Sequence, residues 1–233
     1  PQGGVISPLS ANIYLDAFEQ EMRRRGHRIV RYADDILIFC RSRKGAENAL
    51  TQASKILEQG LKLSVNQSKS HIAHSSDGVK FLGVEIGSQY TRIQAKKLTA
   101  LKKRLKEMTK RNSGKPLARV ISELNPVLRG FSQYFRIANS SQAFRRIAGW
   151  LRRRLRSIQL RLWKKPTRLH RRLKQLGYNP PFKFIRMSCW RNSQSPLASF
   201  AMPNQWFDEQ GLVNLEQIRT GYVFSEYAEW KCT

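Results

Sequence analysis

The chain holds 233 residues, 40% of them hydrophobic, which is enough for one or two domains with a real core and too apolar for a disordered polyelectrolyte. Its 43 Lys and Arg outnumber 16 Asp and Glu for a formal net charge of +27, which points to a polyanionic partner. Cys40, Cys189 and Cys232 are too few and too scattered for a disulfide scaffold, and no apolar run approaches the roughly 20 residues of a membrane span.

Pro1-Gln2-Gly3-Gly4-Val5-Ile6-Ser7-Pro8 reads as a Gly-rich loop running into a helix, with Ser7 as cap and Pro8 in the first turn. Beginning at Pro1 rather than Met, inside such a stretch, the chain reads as a piece of a longer protein. Leu9, Ile13, Ala17, Phe18 and Met22 fall on one helical face, and Gly26 supplies the stop. Ile29 to Tyr32 and Ile36 to Phe39 are rich in β-branched and aromatic residues and predict two short strands of a hairpin with Asp34 and Asp35 at its turn. Adjacent carboxylates repel each other, so they either form an ordinary solvated Asp turn or hold a divalent cation that offsets the repulsion. Spacing by itself leaves both readings open.

A second helix is predicted over Arg43 to Gln59, with Leu50, Ala53, Ile56 and Leu57 inward. Leu61 to Val65 alternates as a strand does, Asn66 to Lys69 is a polar turn, and Ser70 to His74 is a further extended piece. Val79 to Ile86 predicts one more strand, with Gly83 marking a bulge or close approach. His71 and His74 have no cysteine partner nearby and read as structural or solvated rather than as a zinc pair. Helix, hairpin, helix and strands predict an α+β layer, a small antiparallel sheet with helices on one face.

Beyond Ile93 the character changes. Residues 1–95 carry a net +4 and residues 176–233 none, whereas residues 96–175 hold 25 basic and 2 acidic side chains. Leu98, Leu101, Leu105 and Met108 repeat at helical spacing among Lys96, Lys97, Lys102, Lys103, Arg104 and Lys106. Asn112 to Pro116 breaks this helix, another starts at Leu117, and Asn125-Pro126 restarts it through Phe135, past Arg129. Ser140-Ser141 is placed to cap a long helix with Phe144, Ile147, Leu151, Leu155 and Ile158 inward. Its other faces carry Arg145, Arg146, Arg152, Arg153, Arg154, Arg156 and Arg161, with Lys164 and Lys165 just beyond. Pro166 opens a fourth helix that ends near Gly177. Any one basic face could be merely solvated, but a whole block without balancing acids points to nucleic acid. A membrane surface is the poorer partner, because four successive amphipathic helices can bury their apolar faces against one another. The tail from Tyr178 is aromatic and turn-rich, and its rings read as a local core rather than as base-stacking platforms.

Together these stretches resemble the group II intron-encoded reverse transcriptase/maturase family. Residues 1–9 with Ala11 to Leu15, the Arg31-Tyr32-Ala33-Asp34-Asp35 box, Asn66 to Ser70 and Phe81-Leu82-Gly83 are similar to its palm motifs. Leu124-Asn125-Pro126, Leu128 to Phe131, Tyr134-Phe135, Trp190-Arg191 and residues 204–212 are similar to its maturase domain. The resemblance implies a partial polymerase palm over residues 1–92, a helical thumb over 93–177 and an irregular maturase tail over 178–233. It also implies RNA-directed DNA polymerisation by a two-Mg²⁺ route, with roles in intron splicing and retrohoming. Asp34 and Asp35 would bind metal, Lys69 would act at pyrophosphate, and Gln2, Gly3, Tyr32 and Ala33 would line the nucleotide pocket. Phe81, Leu82 and Gly83 would form the primer grip. The implied partners are group II intron RNA, an RNA template with its DNA primer, and dNTP, with no membrane; exposed sheet edges leave homodimerisation open. The implied location is the bacterial cytoplasm, in association with nucleic acid. A further metal-binding aspartate of the family lies upstream of the Pro1 motif, so the piece in isolation is expected to be inactive. No Cys/His-rich nuclease segment follows residue 233, so no endonuclease activity is expected. The alternative is a non-catalytic RNA-binding splicing factor with a polymerase shape.

Overall fold

The structure, a computed structural model, describes residues 6–221. The chain divides into two compact units, one ending at Phe81 and one starting at Leu82. The architecture is α+β with helices dominating the second unit, as the sequence pattern predicts.

In the first unit, α1 (Ser7–Arg24) precedes an antiparallel hairpin of β1 (Arg28–Tyr32) and β2 (Asp35–Phe39), and α2 (Arg43–Lys55) follows. Phe18 and Met22 of α1 are fully buried against Ile29 and Ala53, with Ile36, Ile38, Ile56, Leu57 and Leu61 around them. The predicted inner face of α1 is only half right. Leu9 and Ile13 are 60% and 68% exposed, and Leu15 takes an inner position instead. In α2 it is Ala49, not Leu50, that turns inward.

The strand expected over Leu61 to Val65 does not form. The α-helical part of α2 ends at Lys55 and continues as a wider π-turn over Ile56–Gly60. Lys62 takes φ 56°, and the Leu63 N–H donates back to the Leu57 carbonyl at 2.9 Å, so the chain folds onto the helix end instead of extending. The Tyr14 hydroxyl donates to the Leu61 carbonyl at 2.5 Å and fastens this segment to α1. Ser70 to His74 is likewise irregular, and β3 (Val79–Phe81) closes the unit.

The expected single strand over Val79 to Ile86 is broken by a turn at Leu82 and Gly83, both at positive φ. The second unit continues with β4 (Val84–Ile86) and β5 (Thr91–Ile93), paired antiparallel. Then come α3 (Ala95–Met108), α4 (Leu117–Phe135), α5 (Ser141–Trp163), α6 (Pro166–Gln175) and two short helices, α7 (Pro196–Ala201) and α8 (Asn204–Glu209). Phe144, Ile147, Leu151, Leu155 and Ile158 of α5 are all buried, as their spacing predicts. Ile185, Met187, Ala198, Met202, Phe207 and Leu215 from the tail join the same core, whereas Phe184 is 72% exposed.

Pro126 lies inside α4 rather than at a break. A proline removes one helical hydrogen bond and disfavours helical backbone at the preceding residue. That residue, Asn125, is held from outside: its amide donates to the Gly211 carbonyl at 2.8 Å and its oxygen accepts from the Val213 N–H at 3.0 Å. Tertiary bonds thus fix a conformation that local preference opposes. Ser140 does not cap α5 through its side chain; its hydroxyl donates backwards, to the carbonyls of Phe135 and Ala138.

Candidate acidic hairpin and nucleic-acid interface

The acidic site is built on the β1–β2 hairpin. Ile29 faces Ile38 and Tyr32 faces Asp35 in the register, leaving Ala33 and Asp34 as a two-residue turn. Asp34 therefore sits in the turn, and Asp35 is the first residue of β2. Ala33 takes φ 53°, the left-handed region that costs a residue with a Cβ roughly 1 kcal/mol. The conformation is held by Arg31, whose side chain is 9% exposed. Its guanidinium donates to the Ala33 carbonyl at 3.2 Å, to Asn12 Oδ1 at 3.0 Å and to Glu19 Oε2 at 3.2 Å. One partly buried cation thus ties the turn to α1. The sequence carries a signal for this, because Asn12 and Glu19 lie seven residues apart on one helical face. Reading the box for its carboxylates alone passes over it.

Asp34 and Asp35 are both exposed and make no hydrogen bond or ion pair among the described residues. Arg31, the nearest cation in sequence, is occupied by Glu19. The hairpin thus presents two uncompensated oxygen donors at an exposed tip held from behind. Such a pair fits Mg²⁺, which takes oxygen ligands, keeps several waters and is commonly held by one or two carboxylates plus substrate phosphates. Among the described residues no group of three His, Cys, Asp or Glu side chains gathers into a metal site. His71 and His74 are engaged locally instead, His71 Nδ1 with the Lys69 carbonyl at 3.1 Å and His74 Nδ1 with Ser76 Oγ at 2.7 Å.

Lys69 sits in the predicted polar turn. Its N–H and that of Ser70 donate to the Asn66 carbonyl at 3.1 and 3.0 Å, and its side chain is exposed, with no bond to either aspartate. Tyr32 is 64% exposed beside Asp35. Gln2 and Gly3 lie outside the described residues. Phe81 ends β3, half-buried, while Leu82 and Gly83 form the turn that follows. There the Tyr134 hydroxyl donates to the Leu82 carbonyl at 2.9 Å. At Gly83 the φ of 81° is what calls for glycine, since an added Cβ would meet only the flexible end of Lys97 at 3.2 Å and the Phe135 ring at an ordinary 3.4 Å.

The basic residues of the second unit divide in two. Lys96, Lys97, Lys102, Lys103, Arg104, Arg129, Arg145, Arg146, Arg161, Lys164 and Lys165 are exposed. The arginines of the middle of α5 are not all presented in this way. Arg152 is 5% exposed and paired with Glu216. Arg154 donates to Thr109 Oγ1 at 2.6 Å and to the Thr109 and Lys106 carbonyls. Arg156 donates to the Met202 carbonyl and to Asn204 Oδ1, both at 3.0 Å, and lies over the Phe207 ring. Burial holds the pKa of Arg154 and Arg156 below the usual arginine value, with Arg152 adding to the effect on Arg156. Arg153 is half-buried over the Trp190 ring. The sequence shows that these side chains leave the apolar stripe but not that the tail folds back to meet them. On the acidic side, Glu123 is taken by Lys115 and Arg119, whose hydrogen bonds hold its carboxyl below the usual range.

Two family matches cover most of the chain. Residues 1–86 match the reverse transcriptase (RNA-dependent DNA polymerase) family, and residues 98–177 match the group II intron, maturase-specific domain. Among curated proteins, the chain is 32% identical to protein YkfC of Escherichia coli, over 36% of this chain and 31% of that protein. It is also 32% identical to a Saccharomyces cerevisiae protein named for intron 2 of COX1/OXI3, over 37% of this chain and 17% of that protein. The matched part thus spans less than a third of the length of either relative.

Proposed function

The chain belongs to the group II intron reverse transcriptase/maturase family, and from that premise we propose that it supplies the acidic hairpin and the RNA-holding helices of an RNA-directed DNA polymerase that also assists intron splicing and retrohoming. The observation that carries this reading is the pair of uncompensated carboxylates on a strained, arginine-pinned turn, in the stretch that matches the reverse transcriptase family.

In this reading Asp34 and Asp35 hold Mg²⁺. When bound, the ion neutralises phosphate charge and orients the attacking and leaving oxygens of nucleotidyl transfer. Arg31 fixes the turn so that both carboxylates stay where substrate phosphates arrive. Tyr32 offers its ring beside Asp35 to the incoming dNTP, with Ala33, Gln2 and Gly3 completing the pocket by resemblance. Lys69 carries an exposed ammonium that neutralises or protonates pyrophosphate, and Phe81, Leu82 and Gly83 act on the primer. The exposed cations of α3, α4 and α5 hold template, primer and intron RNA through their phosphates.

The test is primer extension on an RNA template by the full-length protein that contains this chain, with Mg²⁺, comparing wild type with Asp34→Asn. The variant should lose about a hundred- to a thousandfold in extension, as loss of an electrostatic catalytic group does, while keeping its RNA affinity. Extension at the wild-type rate by the variant would refute the role of Asp34. RNA binding and splicing without any extension by wild type would favour the non-catalytic maturase instead.

A further inference from the structure

A cleft of about 650 Å³ in the second unit has no part in the hairpin chemistry. Lys103 and Lys106, three residues apart on α3, line it with Lys110 just beyond the helix, and Arg111, Arg154 and Trp190 complete it with Asn112. Glu107 is the one carboxylate among these lining residues. Five cations and one anion gathered around a cavity repel each other, and the arrangement is relieved when an anion enters.

Two of the cations are fixed in advance. Arg154 lies 5.2 Å from the ring centres of both Trp150 and Trp190 and is bonded to Thr109. Arg111 donates through its terminal nitrogen to the Ser188 carbonyl, while its Nε is buried with no hydrogen-bond partner. Burial, and then the charge of Arg161, push the Arg111 pKa down. The cleft thus holds a buried guanidinium nitrogen without an acceptor and a partly exposed indole, whose ring centre lies 5.6 Å from Arg153 and 5.2 Å from Arg154. The three lysines are exposed and can close over phosphates from the rim.

We propose that this cleft is a subsite for an unstacked nucleotide of single-stranded RNA, its base against Trp190 and its flanking phosphates on Lys103, Lys106 and Lys110. The proposal rests on the RNA-binding reading above and names the kind of RNA segment this face takes. A continuous duplex keeps its bases paired and stacked and offers nothing to the indole, whereas a loop or a free strand does. The ~650 Å³ is within the range of pockets that enclose small-molecule-sized groups.

The experiment measures affinity of the chain for a fluorescent oligouridylate and for an RNA duplex of equal length. It compares wild type, Trp190→Leu, and the exposed-residue pair Lys106→Gln with Lys110→Gln, which leaves the packed interior untouched. Trp190→Leu should bind the single strand about tenfold more weakly and the duplex within about twofold of wild type, in line with the worth of one stacked base, whereas the lysine pair, which meets phosphates, should weaken binding to both RNAs. Equal losses on both RNAs with Trp190→Leu, or no loss with the lysine pair, would overturn the subsite while leaving general RNA binding standing. Absence of RNA binding by the wild-type chain would overturn the proposed function as well.

Discussion

Arg152 and Glu216 give the sharpest test of which arginines serve the fold. The Arg152 side chain is 6% exposed and that of Glu216 31%, so the two ends of the pair are unequally buried. Removing the carboxylate by Glu216→Ala strands a buried guanidinium whose Nε already lacks a partner. Breaking a buried pair in this way costs ~3–5 kcal/mol, and the partial exposure of Glu216 brings the expected loss down to about 2–3 kcal/mol. Arg152→Met removes the buried charge itself and leaves a carboxylate that can turn to water, at a cost of ~1 kcal/mol or less. The double variant should therefore recover most of what Glu216→Ala loses. Urea denaturation followed by tryptophan fluorescence reads all three, and the Glu216→Ala loss corresponds to a fall in Tm of about 5–10 °C for a unit of this size. A Glu216→Ala loss no larger than that of Arg152→Met would refute the reasoning, because the asymmetry follows directly from the unequal burial.

Three further outcomes follow from individual interactions. Gly83→Ala must place a Cβ at φ 81° and should cost ~1–2 kcal/mol in urea denaturation; a change below about 0.3 kcal/mol would contradict the left-handed backbone at this turn. Asn125→Ala removes two hydrogen bonds to the tail and should cost ~2 kcal/mol, with hydrogen exchange at the Val213 amide accelerating more than at α3. Glu21 is held from the ordinary 4.5 down to about 2, first by its hydrogen bond from Arg24 and then by that from Arg25. With the folded value below the unfolded one, its stabilising contribution is full above pH 4.5 and is lost as pH falls through 2. A carboxyl-carbon NMR titration of Glu21 with a midpoint at 4 or above would contradict the pairing.

Much of the fold is readable from side-chain periodicity, and the failures have identifiable causes. Phe144 through Ile158 are inward because their spacing is helical and the neighbouring helices and the tail supply a core for them to meet. Leu9 and Ile13 have the same spacing and stay exposed, because burial needs a partner surface and no described element covers them. The strand expected at Leu61 to Val65 is lost to a left-handed Lys62 and a hydrogen bond back to Leu57, a tertiary choice that alternation does not encode. Pro126 is tolerated because Asn125 is tied to residues 86 and 88 positions downstream, far beyond any local window.

The site shows the same division. Two carboxylates at a hairpin tip follow from the strand signals on either side of them. What holds the tip, Arg31 with Asn12, Glu19 and the Ala33 carbonyl, has only the seven-residue spacing of Asn12 and Glu19 as its sequence signal, and the bonds themselves follow when α1 lies beside the hairpin. The charge of residues 96–175 announces a polyanion, but sequence cannot sort presented arginines from packed ones. Arg145 and Arg152 look alike until Glu216, 64 residues beyond Arg152, is folded onto one of them.

The most direct test of the nucleic-acid interface is the dependence of RNA affinity on salt, measured for the chain, for Arg145→Gln with Arg146→Gln, and for Arg152→Gln. The logarithm of affinity should fall steeply and linearly with the logarithm of salt concentration. Neutralising the exposed pair should lower that slope by ~0.7 for each phosphate that is no longer paired with a cation, and Arg152→Gln should leave it unchanged. A flat salt dependence in the wild-type chain, or a slope that responds to Arg152 and not to Arg145 and Arg146, would contradict the account.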